Sequence, residues 1–149
     1  MPLIIPDKLP AAGALKDENI FTMTGARAAS QDIRPLKVII VNLMPTKIAT
    51  ETQLARVLAN SPLQIEMQLV GMDMHTSTHT SQDHLRSFYT TLEQFKEEYF
   101  DGMIITGSPI ETLEFEEADY WPELCEIFEF AKTHVYSNMF ICWGAQAAL

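Results

Sequence analysis

Three features of the sequence predict an α/β fold with a doubly wound, mostly parallel sheet. Two short runs, Lys37-Val38-Ile39-Ile40-Val41-Asn42 and Gly102-Met103-Ile104-Ile105-Thr106, are apolar without alternation, as strands buried on both faces are. Stretches with apolar residues three to four apart lie between the strand-like runs, as amphipathic helices do. Strand and helix therefore alternate, and strands joined through helices run parallel.

Taken in order, residues 1–35 carry prolines at 2, 6, 10 and 35 and no sustained period. They read as an irregular N-terminal arm packed on a main body formed by residues 36–149. After the first strand, Leu54, Val57 and Leu58 mark a helix that Asn60-Ser61-Pro62 ends. Leu63 to Val70 alternates apolar and polar, a strand with one face more open. A polar Thr/Ser-rich stretch with His75 and His79 follows. From Ser81 a second helix places Leu85, Phe88, Tyr89, Leu92 and Phe95 on one stripe. Beyond the second buried strand, a third helix from about Asp119 to Lys132 turns Trp121, Leu124, Cys125 and Phe128 inward. Met139-Phe140-Ile141 forms a last strand leading into Cys142-Trp143-Gly144-Ala145-Gln146.

The 149 residues carry 20 acidic and 10 basic side chains, a net charge of −10. That field disfavours a nucleic-acid or anionic-membrane partner. A polyanionic ligand would need local donors against it. No apolar run approaches the roughly 20 residues of a membrane span. The start, Met1-Pro2-Leu3-Ile4-Ile5-Pro6-Asp7, lacks the basic and long apolar regions of a secretory signal. Cys125 and Cys142 are accordingly expected as free thiols in the cytoplasm. His75, His79 and His84 have no cysteine partner and only Asp73 and Asp83 as neighbouring carboxylates, so a solvated loop is expected rather than a metal site.

Ligands of open α/β sheets bind beyond the carboxyl ends of the strands. Three segments fall there: Asn42 to Lys47, Thr106 to Glu111, and Cys142 to Gln146. Cys142 lies between a short strand and a run of small residues that opens a helix, the layout of a nucleophile elbow. A thiol at such a bend is exposed, the helix N-terminus favours its thiolate, and helix N–H groups face a developing oxyanion. Pattern alone equally allows a buried, inert core cysteine; for Cys125, on an apolar stripe, core is the expectation. Lys47 reads either as a rim cation or as a solvated lysine. Gly107-Ser108-Pro109-Ile110-Glu111 has the form of a capping box, with Ser108 as N-cap and Glu111 at the third helical position. Alternatively, Glu111 turns its carboxylate to the crevice. A thiol also needs a base, and none of His75, His79, His84 and His134 has a context beside the bend.

At these residues the sequence resembles the homoserine O-succinyltransferase and O-acetyltransferase family, relatives of the class I glutamine amidotransferases. The resemblance rests on Met1-Pro2 with Leu9-Pro10-Ala11, Glu18-Asn19-Ile20-Phe21, Gln31-Asp32-Ile33-Arg34-Pro35-Leu36, Asn42-Leu43-Met44-Pro45-Thr46-Lys47 and Thr50-Glu51-Thr52-Gln53-Leu54. It continues through Phe100-Asp101-Gly102, Thr106-Gly107-Ser108-Pro109, Tyr120-Trp121 and Ile141-Cys142-Trp143-Gly144-Ala145-Gln146-Ala147. It implies a flavodoxin-like sheet and transfer of an acyl group from acyl-CoA to the hydroxyl of L-homoserine, in methionine synthesis. By position, Cys142 would be the thioester-forming nucleophile. Glu111 would set the acyl donor, glutamate going with acetyl and glycine with succinyl. Lys47, Trp143 and Gly107 mark where oxyanion or substrate donors would be sought. A carboxylate at position 111 would repel the distal carboxylate of a succinyl group by on the order of a few kcal/mol. Acetyl-CoA is therefore the expected donor, as a co-substrate, with no resident cofactor and no metal.

Family members are about twice as long, and the resemblance places their catalytic base beyond Leu149. It implies a chain truncated after the elbow, inactive alone, exposing core surface and an unpaired strand edge, and homodimeric when full length. The competing readings are a homoserine O-succinyltransferase, a serine O-acetyltransferase, and an inactive truncated paralogue acting as a binding domain.

Overall fold

The computed structural model describes residues 2–72 and 80–149. Asp73, His75 and His79 lie outside them, so the solvated-loop expectation for those residues is untouched. In chain order the elements are β1 (Leu3–Ile4), α1 (Pro10–Asp17), β2 (Thr22–Met23), α2 (Gly25–Ala29), β3 (Leu36–Val41), α3 (Lys47–Ala59) and β4 (Ile65–Val70). Next come α4 (Gln82–Phe88), β5 (Tyr89–Thr90), α5 (Leu92–Phe95) and β6 (Phe100–Ile105). A 3₁₀ turn (Phe115–Glu117), α6 (Trp121–His134), β7 (Val135–Phe140) and α7 (Trp143–Ala147) complete the order.

Among the described residues the strands form one sheet in the order β2-β1-β4-β3-β6-β7, with β5 added beside β4. Every pairing is parallel. β3 is central, with Ile40 opposite Leu69 on one side and Ile104 on the other. Both of its neighbours follow it in the chain, β4 on one side and β6 on the other, so the direction in which strands are added reverses between β3 and β6. That is the switch point at which such sheets open a ligand crevice.

Alternation along the buried strands sends side chains into two cores. Ile39, Val41, Met103 and Ile105 join Leu124, Ile127 and Phe130 of α6 on one face. Ile40 and Ile104 join Leu9 and Leu15 at α1 and Ala55 of α3 on the other. The sheet is thus wound on both sides, as predicted.

Four local expectations are corrected. The first 35 residues do pack on the body, but they are not irregular. Pro10 occupies the first turn of α1, where its missing N–H costs nothing, and Leu3 and Ile4 pair with Ile65 and Glu66. Two-residue strands have no period to read. In α3 the buried side chains are Lys47, Glu51 and Ala55, whereas Val57 is 71% exposed. The long helix expected from Ser81 is two helices separated by β5, because Tyr89 and Thr90 return to the sheet beside Leu69 and Val70. The start of α5 is fixed by a Thr91–Gln94 capping box. In α6, Leu124 is buried and Trp121 and Phe128 pack half-buried against the same core as expected, but Cys125 does not join it, and Ile127, Phe130 and Ala131 complete the stripe.

β7 pairs with β6 alone and borders the sheet among the described residues. Tyr136 is 93% and Met139 59% exposed along it.

Candidate active site

The three rim segments named from sequence do converge. The Leu43 N–H donates to Thr106 Oγ1 at 2.8 Å, joining the turn after β3 to the loop after β6. Gly107, in that loop, lies against Cys142: a Cβ built there would sit 3.1 Å from Cys142 Cβ and 3.5 Å from its sulfur.

Cys142 is the cap residue of α7 and has φ 53° and ψ −121°. A non-glycine residue there lies outside the favoured regions and stores on the order of 1–3 kcal/mol of strain. Ile141 N–H donates to Ile105 O at 2.9 Å, ending the β6–β7 ladder. Three residues later Gly144 N–H donates back to Ile141 O, and the Ala145 and Gln146 N–H groups donate to Cys142 O. The chain therefore reverses within three residues and leaves the thiol at the apex. The side chain is exposed, so the inert core reading is wrong. The Trp143 N–H, first of α7, makes no hydrogen bond to another described residue, as helix starts leave such donors. Gly107 N–H is likewise unengaged among the described residues.

Gly144 makes the bend possible. A Cβ on it would meet Thr106 O at 2.6 Å and Ile105 O at 3.2 Å, so only glycine lets α7 rest on the end of β6. The indole of Trp143 is buried, edge-on to Tyr120 and tilted against Phe115. Its side chain belongs to the core.

Neither Ser108 nor Glu111 forms the expected capping box, because no helix starts at residue 109. Ser108 is buried and accepts a 2.7 Å hydrogen bond from Tyr120 Oη instead. Burial raises the Tyr120 phenol above its usual range, which keeps that donor protonated. Glu111 stands exposed in the turn that closes with Leu113 N–H on Ile110 O, four residues from Gly107. It is free of a capping duty.

Lys47 is not solvated. It is 7% exposed, and its Nζ donates to Asn42 O at 2.6 Å and Met44 O at 3.1 Å. Burial lowers its ammonium to about 8, against the opposing pull of the Glu51 charge. It ties together the turn between β3 and α3.

Sequence reasoning missed the group beneath that turn. Glu51, fully buried on α3, accepts from Tyr89 Oη at 2.5 Å and lies 3.0 and 3.1 Å from His84 Nε2. Asn42 Nδ2 donates to Tyr89 Oη at 2.9 Å. Burial, then the Glu51 charge, raises the Tyr89 phenol and keeps it a donor. Lys47 and Glu51 at i and i+4 share one helix face, a signal present in the sequence but masked by the Leu54, Val57 and Leu58 pattern. His84 is thus a buried partner of a carboxylate, not a residue of a solvated loop. His134 stacks on Phe130 and Tyr99 at the other end of β7, whose six residues span roughly 20 Å. Neither histidine stands beside Cys142. Among the described residues no three potential metal ligands gather, and no helix is long and apolar enough to cross a membrane.

Beside this network, at the carboxyl ends of β3, β4 and β5, a cavity of about 380 Å³ opens between Asn42, Lys47, Arg86, Tyr89, Gln94 and Tyr120.

A model of the homoserine O-succinyltransferase family matches residues 2–149. The chain is similar over its whole length to proteins named homoserine O-acetyltransferase. It is 61% identical to one from Ilyobacter polytropus, covering 49% of that protein. It is 60% identical to one from Clostridium novyi, covering 49%, and 54% identical to one from Streptococcus mutans, covering 48%. The chain thus spans about half the length of the curated relatives it matches. The strained cysteine at the strand-to-helix bend, the glycines that seat it and the family match over nearly every residue lead to one assignment: the chain belongs to the homoserine O-succinyltransferase family.

Proposed function

We propose that this chain supplies the acyl-accepting cysteine of a homoserine O-acetyltransferase, which moves the acetyl group of acetyl-CoA to the hydroxyl of L-homoserine in methionine synthesis. The observation that carries it is the exposed Cys142 at φ 53° and ψ −121°, the apex of a bend between β7 and α7. The sulfur adds to the thioester carbonyl carbon. The carbonyl oxygen takes negative charge, and the Trp143 and Gly107 N–H groups are the candidate donors for it. The carbon–sulfur bond to the carrier then breaks, and CoA leaves as its thiol with the proton that Cys142 gave up. In the second half the homoserine oxygen attacks the enzyme thioester, its proton is removed, and the Cys142 sulfur is released.

A base must handle both protons. Among the described residues none stands at the bend, since His84 is held by Glu51 and His134 is a strand's length away. Glu111 favours acetyl over succinyl, because a succinyl group would bring a second carboxylate toward it. In this reading the protein works in the cytoplasm, needs no resident cofactor or metal, and engages neither nucleic acid nor membrane.

The test is intact-protein mass spectrometry on a protein that joins this chain to the remaining length of its relatives. Acetyl-CoA should leave one acetyl group on Cys142 and none on Cys142→Ala. No adduct on the wild type would end the reading. Steady-state rates with acetyl-CoA and succinyl-CoA then decide the donor: Glu111→Gly should raise the succinyl rate relative to acetyl. An unchanged ratio would remove Glu111 from donor choice.

A further inference from the structure

We propose that the 380 Å³ cavity beside β5 is an oxyanion subsite that takes a phosphate group of the acyl carrier, with Arg86 and Lys47 as its cationic wall. The inference rests on the reading of the donor as a CoA thioester. The chain's net charge of −10 opposes any polyanion, so binding one demands local cations. Here two of the ten basic residues, from α3 and α4, line one concavity at the carboxyl edge of the sheet. Among the described residues lining it there is no carboxylate.

Arg86 is the telling member. Of the four arginines, Arg34 pairs with Asp101, Arg56 with Glu18, and Arg27 lies over the Phe21 ring. Arg86 has no such partner among the described residues, yet it faces the cavity. A guanidinium offers a planar fork of donors that matches a phosphate, and Gln82, Thr90, Thr91 and Gln94 add neutral polar groups around it. Lys47 uses two of its three N–H bonds on Asn42 O and Met44 O, leaving one. The nearby Glu51 is already engaged by His84 and Tyr89.

The cavity also communicates with the thiol by position. Leu43 and Tyr120 line it, and the same two residues hold Thr106 and Ser108, which flank the Gly107 that touches Cys142. The volume lies within the range of small-ligand pockets.

The test compares donors in the full-length protein by the rate of Cys142 acetylation. Acetyl-CoA carries phosphates, whereas S-acetylpantetheine delivers the same thioester without them. Arg86→Gln should raise the half-saturating concentration of acetyl-CoA about tenfold and leave that of S-acetylpantetheine unchanged. Inorganic phosphate should compete with acetyl-CoA alone, and Lys132→Gln, on the exposed face of α6, should change neither donor. Equal changes with both donors, or none with either, would overturn the proposal. So would phosphate that binds through Arg86 without competing with acetyl-CoA, since that assigns the cavity to a free anion. If neither donor acetylates Cys142, the thioester reading fails separately. Calorimetry with CoA then decides the subsite: CoA binding weakened by Arg86→Gln supports it, and equal binding refutes it.

Discussion

The bend that presents Cys142 depends on two glycines, and substituting them separates seating of the helix from room for the sulfur. Gly144→Ala places a methyl group 2.6 Å from Thr106 O, 3.1 Å from Ile105 Cγ2 and 3.2 Å from Ile105 O. Two of these three neighbours are backbone oxygens at the end of β6, which cannot rotate away, so α7 must lift off the sheet. Overpacking of this kind costs about 1–3 kcal/mol, and the immovable partners place Gly144→Ala in the upper part of that range. For a chain of this size about 2 kcal/mol lowers Tm by roughly 4–8 °C. Gly107→Ala meets Cys142 Cβ at 3.1 Å and the sulfur at 3.5 Å, softer contacts that fall on the exposed cysteine itself. It should cost less stability, about 1 kcal/mol, but slow alkylation of Cys142 relative to Cys125. Gly13→Ala is the counter-case. Nothing lies within 4 Å of the new Cβ in α1, so helix propensity alone should stabilise the chain by about 0.5–1 kcal/mol. Urea unfolding with peptide mapping of alkylated thiols reads all three. Equal unfolding midpoints for Gly144→Ala and wild type would refute the claim that α7 is seated through that contact.

Cys142→Gly should raise stability by about 1 kcal/mol in urea unfolding while abolishing acetylation, because glycine adopts φ 53° without strain but loses more chain entropy on folding. Glu51→Ala should cost about 3–5 kcal/mol by the same measurement, and Glu51→Gln less. The alanine leaves Tyr89 Oη, His84 Nε2 and Lys47 buried without their carboxylate. For Lys47 the sign follows from a folded value near 8 against about 10.5 unfolded. Between those pH values the unfolded chain binds the proton and the folded chain does not, so stability rises with pH through that window. Unfolding of wild type against Lys47→Met at pH 7.5 and pH 10 should show the difference moving toward wild type by about 2 kcal/mol. Movement in the opposite direction would contradict a burial-driven shift.

The parts of the fold legible in sequence are those where one physical pattern dominates. β3 and β6 announce themselves because both faces are buried, and β4 because its burial alternates. β7 begins four residues before the Met139 expected from sequence, since Tyr136, Ser137 and Asn138 lie exposed along an edge and give no apolar signal. α3 was legible as a helix and in part of its facing, since Leu54 and Leu58 pack against the core, but its most deeply buried positions are Lys47 and Glu51 beside Ala55. Charged residues point inward only when partners meet them there, and those partners, Tyr89 and His84, come from a segment more than 30 positions away. Cys142 was legible from its strand-then-small-residue setting. Its positive φ was not, nor was the close approach of Gly107, which depends on the β6–β7 pairing.

The buried carboxylate also explains why the crevice rim can be rigid without being apolar. An apolar substitute for Glu51 and its partners could be equally stable, so stability alone does not account for them. Geometry does. Asn42 is the hub at the switch point: its N–H bonds Val70 O, its backbone oxygen accepts Lys47 Nζ, its Oδ1 accepts Met44 N–H, and its Nδ2 donates to the Tyr89 oxygen that Glu51 holds. With each group engaged, the turn after β3 has one arrangement, and Leu43 N–H reaches Thr106 Oγ1 from it. Thr106 in turn bears the close contact with Gly144 and precedes the Gly107 that touches Cys142. Position is therefore passed from a buried ion on α3 to the thiol at the end of β7 through hydrogen bonds and one glycine contact. A side chain as loosely held as a surface lysine could not fix a sulfur to within the roughly 0.5 Å that a preorganised site requires.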